Sequence, residues 1–475
     1  MEVMSPLDSA FLRMETANTS LHIASLAIFE GPAPSYDELF DLIARKLVDL
    51  PRYTQRVREV PLWLGRPVWV QDPSLNLHYH LRHTVLPTPG GDDELRTLMA
   101  RLMSAQLDRS RPLWEEWLVE GLEGGRWALV GKVHHCMVDG VAGTDILSKL
   151  LDTEPAPKRE PFVGQPIPYA TSEPSQLRLL GSALTALPHR PVQGIRSVAD
   201  AAAHPARTLE SATLLAHGAM SWTRLAKPAE SSSLTGSLGR ARAWDFTRTT
   251  FEDIKAVRAA YGGSFNDVVV SAIARGFRDL LLERGERPGA HAVRTLIPVS
   301  VRGGAEGVAN EVSAMIADLP VDAADPVARY QAVCAEMSRL KESGEIQMGE
   351  LIADAGGWTA PLLLSIGLKS AFRLPHRHLV TVATNVPGPR VQLYAAGRRL
   401  VELYPYVPIA DRMRIGVAMT SYNRVLTFGI TADAASTPDL HVLTAGITEG
   451  MSELVAAAHG VNPLATGKRP RAQTA

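Results

Sequence analysis

Residues 126–140, RWALVGKVHHCMVDG, decide the fold, because a strand pattern runs directly into two adjacent histidines and then into an Asp-Gly pair. Residues 114–122 and 127–135, separated by a glycine-containing turn, predict a β-hairpin. Helical spacing resumes at 141–151. The two histidines are therefore expected where a strand ends and a helix begins.

The alternation of the strand favours one of the two histidines as the reactive one. His135 shares its strand face with Gly131 and Val133, whereas His134 shares its face with Lys132. His135 is thus the better candidate for an inward-facing ring. A neutral imidazole in this position can take the proton of a hydroxyl group while that oxygen attacks a thioester carbonyl.

The residues that follow the histidines have more than one interpretation. Asp139 could cap the next helix, or it could pair with an arginine and fix the loop that presents His135. Gly140 suits a tight turn from strand to helix. For the histidines themselves, the alternative to catalysis is a pair of hydrogen-bonded core residues.

The remaining chain predicts an α/β protein of two domains, since 475 residues are too many for one ordinary core. A proline-rich and then Ala- and Leu-rich stretch separates two mixed halves. The predicted domain limits are 1–151 for the N-terminal domain, 152–240 for a linker, 241–461 for the C-terminal domain and 462–475 for a disordered tail. Strands are expected at 22–29, 292–301, 379–384, 391–394, 415–422 and 426–432, and helices at 37–50, 251–261, 266–284, 327–341 and 439–459.

Composition excludes several classes of function. A net charge of -1, with 21% charged residues, gives no general electrostatic reason to bind nucleic acid. Two cysteines cannot form a disulfide framework, which favours a reducing compartment. With no signal-peptide pattern and no apolar stretch of spanning length, the sequence predicts a cytoplasmic protein that could still rest on the inner membrane or on lipid inclusions.

Several short segments accompany the histidine motif and together carry a family resemblance. They are MSPLDSAFL at 4–12, Pro112-Leu113-Trp114, HHCMVDG at 134–140, Asn266-Asp267, PVSVR at 298–302, Asn385-Val386-Pro387-Gly388-Pro389 and Ser421-Tyr422-Asn423. In this order the chain resembles the bacterial wax ester synthase/diacylglycerol acyltransferase family. That family lies within the larger group that shares the HHxxxDG motif with chloramphenicol acetyltransferase and peptide-synthetase condensation domains.

The resemblance implies a fold, a reaction and a set of site residues. It implies two chloramphenicol acetyltransferase-like α/β domains with an active-site tunnel between them, long-chain acyl-CoA as donor, and diacylglycerol or a long-chain alcohol as acceptor. His135 corresponds to the family's general base, within a motif that also contains His134, and Asn266 to a family asparagine implicated in activity. No metal or prosthetic group is implied, because acyl-CoA is a substrate.

Each remaining motif residue also has a structural interpretation. Asn266 could cap the helix that follows it, or its amide could donate a hydrogen bond to the developing oxyanion. Ser264 and Asp267 have the spacing of a capping box. We interpret two further segments as structure near the site, namely Pro112, Leu113 and Trp114 at the start of the hairpin and the rigid loop of Asn385, Pro387, Gly388 and Pro389.

Other signals carry less weight. His78 and His80 would share one face of a strand, but no nearby cysteine or carboxylate completes a metal site, and a strand edge is the preferred interpretation. Arg424 stands where the family commonly has glycine, so that turn is expected to be different or less relaxed. The apolar segment 358–374 fits either core packing or docking to a lipid surface.

The sequence thus predicts an acyl-CoA-dependent O-acyltransferase that forms triacylglycerol, with wax ester synthesis as a second activity. Two alternatives remain: a condensation-type enzyme that takes acyl groups from a carrier protein, and a non-catalytic lipid- or acyl-CoA-binding module of the same fold. No oligomeric state is predicted.

Overall fold

The computed structural model describes residues 2–61, 65–138, 149–157, 175, 177, 179, 232–301, 311–342, 379–410 and 412–460. The strands are β1 (Glu2–Val3), β2 (His22–Phe29), β3 (Gln55–Arg58), β4 (Val68–Gln71), β5 (Leu81–Val85), β6 (Trp114–Leu122), β7 (Arg126–His134), β8 (Arg242–Thr250), β9 (Arg294–Val301), β10 (Glu311–Asp318), β11 (Thr381–Val386), β12 (Tyr394–Ala395), β13 (Arg398–Tyr406), β14 (Ile415–Tyr422) and β15 (Val425–Asp433). The helices are α1 (Pro6–Met14), α2 (Tyr36–Lys46), α3 (Leu77–His80), α4 (Asp92–Ser104), α5 (Phe251–Tyr261), α6 (Phe265–Glu283), α7 (Pro326–Glu342) and α8 (Leu440–Gly460).

Two six-stranded sheets organise the molecule, one for each half. The first has the order β12-β13-β2-β7-β6-β5, and the second has the order β10-β9-β11-β14-β15-β8. Strands β1, β4 and β3 form a separate small sheet. Helices α6 and α8 cover the second sheet and share its apolar core, whereas α2 and α4 cover opposite faces of the first.

The two sheets are joined by strand exchange as well as by packing. Strand β13 comes from the C-terminal half of the chain but pairs antiparallel with β2 of the first sheet. Trp244 and Phe246 of β8, in the second sheet, pack with Tyr404 of β13 and with residues of α4. The sheet pairing therefore does not follow the predicted boundary at 241, because residues 394–406 complete the N-terminal sheet.

Glycine permits the closest approach between the sheets. A Cβ atom at Gly429 of β15 would lie 1.7 Å from the carbonyl oxygen of Pro405 in β13. Beside it, the Thr427 hydroxyl donates to the carbonyl oxygen of Leu403 over 2.6 Å. Side chains larger than hydrogen are thus excluded at position 429 while β13 and β15 remain in contact.

Strong local patterns gave accurate element limits. The hairpin has strands 114–122 and 126–134, and the turn residues Gly124 and Gly125 have positive φ, as a tight connection requires. Strand β2 and helix α5 have the expected limits, and α6, α7 and α8 differ from them by one residue at each end. The predicted helix at 141–151 falls largely outside the described residues, as do the tail 462–475 and the segment 358–374.

Two local expectations need correction or refinement. Residues 77–80 form one helical turn and not a strand, so His78 and His80 point differently: His78 is exposed and stacks on Phe40, whereas His80 is buried and stacks on Trp114. At the tip of the β14–β15 hairpin, Asn423 and Arg424 both have positive φ, +47° and +64°. The hairpin turn therefore retains a geometry that suits glycine, and Arg424 adopts it under strain.

Candidate active site

His135 lies directly after the last residue of β7, in a single turn of 3-10 helix formed by residues 135–137. Its backbone N–H donates to the carbonyl oxygen of Leu21 over 2.9 Å. The ring of Phe11, from α1, lies against the imidazole with ring centroids 4.2 Å apart and planes tilted by 35°. The histidine is thus held from its backbone by β2 and from its ring by α1.

This environment keeps the imidazole neutral. Burial lowers the pKa of His135, and the neighbouring His134 contributes to the shift. A hydrogen bond to the backbone carbonyl of His135 partly opposes it, and the resulting pKa is about 4. Nδ1 is buried and forms no hydrogen bond with any described residue other than His135 itself, and a neutral imidazole has one ring nitrogen without a hydrogen atom. At neutral pH one ring nitrogen is therefore free to accept a proton, which is what a general base requires.

His134 faces the opposite side of the sheet and is fully buried. Its Nδ1 accepts a hydrogen bond of 3.1 Å from the backbone N–H of Cys136. In the neutral ring the proton must then be on Nε2, which lies 3.7 Å from a carboxylate oxygen of Glu15. This geometry favours a positioning role, because the ring braces the turn that carries His135.

Glu15 is the centre of a buried polar cluster behind the motif. Its carboxylate lies 3.1 Å from Nε2 of His22 and 2.7 Å from a guanidinium nitrogen of Arg109, and it accepts the backbone N–H of Leu21 over 3.3 Å. Burial alone would raise the pKa of this carboxyl group, but the nearby rings of His134 and His22 hold it well below its usual range. Glu15 is therefore an anion at neutral pH.

Strand register explains why these groups meet. His22 of β2 is paired directly with His134 of β7, so both rings leave the sheet on the same face. Lys132, two residues earlier on that face, donates to the carbonyl oxygen of Leu102 near the end of α4 over 2.9 Å. Burial lowers the pKa of Lys132 to about 8. Sequence patterns missed Glu15 and His22, because the cluster depends on which residues face each other across β2 and β7.

The Pro112-Leu113-Trp114 segment supports the end of the same strand. The carbonyl oxygen of Leu113 accepts the backbone N–H of His134 over 2.9 Å. The indole N–H of Trp114 donates to the carbonyl oxygen of Tyr53, and its ring stacks on His80. All three residues are buried, and their packing fixes the backbone at the end of β7, where the motif begins.

Asn266 lies in the first turn of α6, but it is not the residue that caps the helix. Ser264 is the N-cap, and it forms a capping box with Asp267 in which each side chain bonds the other residue's backbone N–H. The side chain of Asn266 instead accepts a hydrogen bond of 2.7 Å at Oδ1 from Nδ2 of Asn385. Two segments far apart in sequence are thereby brought together.

The loop of residues 385–389 is where the chain leaves the second sheet and begins its path to the first. Gly388 passes so close to β14 that a Cβ atom there would lie 1.8 Å from the carbonyl oxygen of Ser421. The Thr420 hydroxyl donates to the carbonyl oxygen of Val386 over 2.9 Å. Pro387 and Pro389 flank this contact, and the fixed φ of proline restricts the path of the loop.

Two of the predicted site residues, and the last residue of the PVSVR segment, fall outside the part of the chain that the structure describes. Asp139 and Gly140 lie outside the described residues, and so does Arg302. No hydrogen bond joins His135 to Asn266 within the described ranges. Among the same residues, no group of His, Cys, Asp or Glu could hold a metal ion, and no helix is long and apolar enough to cross a membrane.

Comparison with known families decides where this architecture belongs. The wax ester synthase/diacylglycerol acyltransferase catalytic domain model matches residues 4–269, and the WS/DGAT C-terminal domain model matches residues 308–455. The chain belongs to the wax ester synthase/diacylglycerol acyltransferase family. It is therefore an acyltransferase, as the sequence predicted.

Individual relatives of this acyltransferase agree with the family assignment. A Mycobacterium tuberculosis (strain ATCC 25618 / H37Rv) protein named "Probable diacyglycerol O-acyltransferase tgs1" is 37% identical over 462 residues, which cover 96% of each chain. The solved structure of the wax ester synthase/diacylglycerol acyltransferase from Marinobacter aquaeolei VT8 is 26% identical, with a TM-score of 0.66 over 96% of this chain and 100% of that one. The starter condensation domain of rhizomide synthetase, 16% identical with a TM-score of 0.56, covers 98% of this chain and 96% of that one and shares the fold.

The predicted family and two-domain α/β fold class are confirmed. The predicted domain limits, site residues and tunnel stay predictions.

Proposed function

We propose that this acyltransferase transfers a long-chain acyl group from acyl-CoA to the free hydroxyl of diacylglycerol and so forms triacylglycerol. Esterification of long-chain alcohols to wax esters is a second activity of the same site. The observation that carries the proposal is the neutral His135 at the end of β7, held against Phe11 in a chain 37% identical to the mycobacterial relative. Acyl-CoA is a substrate in this reaction, which needs no metal or prosthetic group.

In the proposed reaction His135 acts as the general base. Its free ring nitrogen takes the proton of the acceptor hydroxyl while that oxygen bonds to the thioester carbonyl carbon. The amide of Asn266 donates a hydrogen bond to the resulting oxyanion. Collapse of this intermediate breaks the carbon–sulfur bond, and the proton on His135 passes to the departing CoA thiolate.

The test is CoA release from a long-chain acyl-CoA, with diacylglycerol and a long-chain alcohol offered separately and the ester products identified by chromatography. Release should require an acceptor, and His135→Ala should lower kcat by about 10²–10⁴-fold because base assistance is lost. His291→Ala is the matched control, since His291 is an exposed histidine that contacts Asp318. Unchanged turnover in His135→Ala would refute the assigned base, and transfer only from a carrier-bound acyl group would favour a condensation-type enzyme.

We further propose that the protein works at a lipid surface, on the inner membrane or on lipid inclusions, because both acceptors are insoluble in water. The N-terminal segment that leads to Phe11 supports this with exposed apolar side chains, Val3 (52% exposed) and Leu7 (57% exposed). Sedimentation with vesicles that contain diacylglycerol tests the idea. Protein that stays in the supernatant would contradict it.

A further inference from the structure

The hydrogen bond between Asn266 and Asn385 determines which end of the Asn266 amide is available for catalysis. An asparagine side chain has one carbonyl oxygen that accepts and one NH₂ group that donates. Nδ2 of Asn385 donates to Oδ1 of Asn266 over 2.7 Å. The oxygen of Asn266 is therefore engaged, and its NH₂ group is directed away from Asn385.

Both partners are held on rigid elements. Asn266 is in the first turn of α6, which is fixed by the capping box of Ser264 and Asp267. Asn385 is near the end of β11, where it is paired with Met419 of β14. The contact is thus built into the packing of a helix on a sheet and does not depend on flexible loops.

The loop after Asn385 fixes its position further. The missing Cβ of Gly388 allows the loop to lie against the carbonyl oxygen of Ser421, and the Thr420 hydroxyl holds the carbonyl oxygen of Val386. Asn385 is consequently anchored on both sides of its own residue. An orienting group must be fixed in this way if the donor that it orients is to be in place before charge develops.

We propose that Asn385 is a positioning residue, which holds the Asn266 amide so that its NH₂ group faces the reacting thioester. The inference rests on the proposed function, because it assumes that Asn266 donates to the oxyanion. It assigns the 385–389 loop a role in the reaction, in addition to its structural one.

Two substitutions at Asn385 separate orientation of the Asn266 amide from packing. Asn385→Asp has the same shape but offers only acceptor atoms, so the Asn266 amide should rotate and donate its NH₂ group to the new carboxylate. Asn385→Ala removes the contact and leaves the Asn266 amide free to rotate. We therefore expect kcat to fall about 10²–10³-fold in Asn385→Asp, the effect of losing one oxyanion donor, and less in Asn385→Ala. KM for both substrates should change little, because the donor acts in the transition state.

A double-mutant cycle provides the second readout. In an Asn266→Ala background, Asn385→Asp should cost almost nothing more in kcat, since both residues act through one amide. Asn76→Asp, at an exposed residue that caps α3, is the matched control and should behave as wild type. A milder effect for Asp than for Ala, or effects that add in the double variant, would overturn the proposal.

Thermal unfolding of wild type, Asn266→Ala, Asn385→Asp and the double variant keeps the two hypotheses distinguishable. Coupling between positions 266 and 385 in melting temperature reports the hydrogen bond even if no acyl transfer is found. An inactive wild type with coupled asparagines would refute the proposed function and leave Asn385 as the partner that orients Asn266. An active wild type without coupling in either readout would refute the positioning role alone.

Discussion

The carboxylate of Glu15 lies close to the side chains of Arg109, His22 and His134. The Leu21 backbone N–H donates to one of its two oxygens, and the Arg109 guanidinium donates to the other. A buried carboxylate in this arrangement is stabilised only while its partners remain, and removal of its charge leaves them unsatisfied. The turn that carries His135 therefore depends on a residue one helix away.

Glu15→Gln should lower the stability by about 1–3 kcal/mol, because one of its oxygens becomes an NH₂ group that faces other donors. It should also lower kcat by about 10–100-fold through displacement of the His134–His135 backbone. The pKa of Glu15 is lower in the folded protein than in the unfolded chain, so its contribution is fully present above about pH 4.5 and is lost as the pH falls through the folded value. The stability difference should accordingly be constant above about pH 5 and become smaller as the pH falls below the unfolded value.

Melting temperatures at pH 3.5 and pH 7, with CoA release measured in parallel at pH 7, would check this. Glu2→Gln is the control, since Glu2 is an exposed carboxylate that contacts Arg52. Equal stability and turnover in Glu15→Gln and wild type would show that the cluster does not support the site.

At this scale, sequence patterns predicted the residue types of the motif but not the groups behind it. His135 and Asn266 were singled out because each lies in a short distinctive segment. Glu15 and His22 have no local signature, and their role follows only from the pairing of His22 with His134. A contact made across two strands cannot be derived from either strand alone.

Strand β6 shows how alternation can bury a group that the reaction does not use. Trp114, Glu116 and Leu118 point to the same face, and both apolar members belong to the core of the first half. Glu116 is 4% exposed, and its Oε2 has no hydrogen-bond partner among the described residues. Gly131, directly opposite on β7, provides the space for this carboxyl group.

Burial raises the pKa of Glu116 to about 8. The folded protein then holds a proton that the unfolded chain loses near pH 4.5, so this group makes folding less favourable as the pH rises from 4.5 towards 8. The side chain of Glu116→Gln cannot ionise. Between pH 5 and pH 8, the free energy of unfolding of wild type should therefore fall by about 1–3 kcal/mol relative to that of the variant.

Melting temperatures at pH 5, 6.5 and 8 would measure this difference. Glu283→Gln, at an exposed carboxylate on the last residue of α6, should show no such trend. Parallel pH profiles for wild type and Glu116→Gln would contradict a neutral carboxyl group at this position.

Elements with strong periodicity were predictable, and those that depend on partners were not. The 114–134 hairpin combines alternation with a glycine turn, and the α6 helix combines a capping box with a long apolar face, so their limits agreed within one residue. Strands β8, β10 and β13 were missed. Thr and Arg in β8 and the mixed pattern of β13 give little local signal, and both strands exist because another sheet or helix covers them.

The molecule as a whole depends on the contact between β13 and β15, where one sheet touches the other. Gly429→Ala would insert a methyl group 1.7 Å from the carbonyl oxygen of Pro405. We expect a loss of about 3 kcal/mol, because backbone atoms on both sides would have to move apart. Turnover should fall as well, since the proposed base follows a strand of the first sheet and the proposed oxyanion donor lies on a helix that covers the second.

Melting temperature and kcat of Gly429→Ala would be compared with those of Gly460→Ala, which has open space around the added atom. A normal melting temperature in the first variant would mean that the sheets are not in contact at this point. This contact could not be predicted from sequence, because it joins a strand of the second sheet to a strand that the C-terminal half contributes to the first.

The exchange of β13 also fixes an order of events during synthesis. Strand β2 is made early, but one of its edges is paired, within the described part of the chain, by residues 400–406. At a typical ribosomal rate of about 5–20 residues per second, the edge stays open for tens of seconds while the intervening chain emerges. An unpaired strand edge readily pairs with another chain. The nascent N-terminal half is therefore the stage at which this acyltransferase is most prone to aggregate, and a chain that stops before residue 406 never leaves that stage.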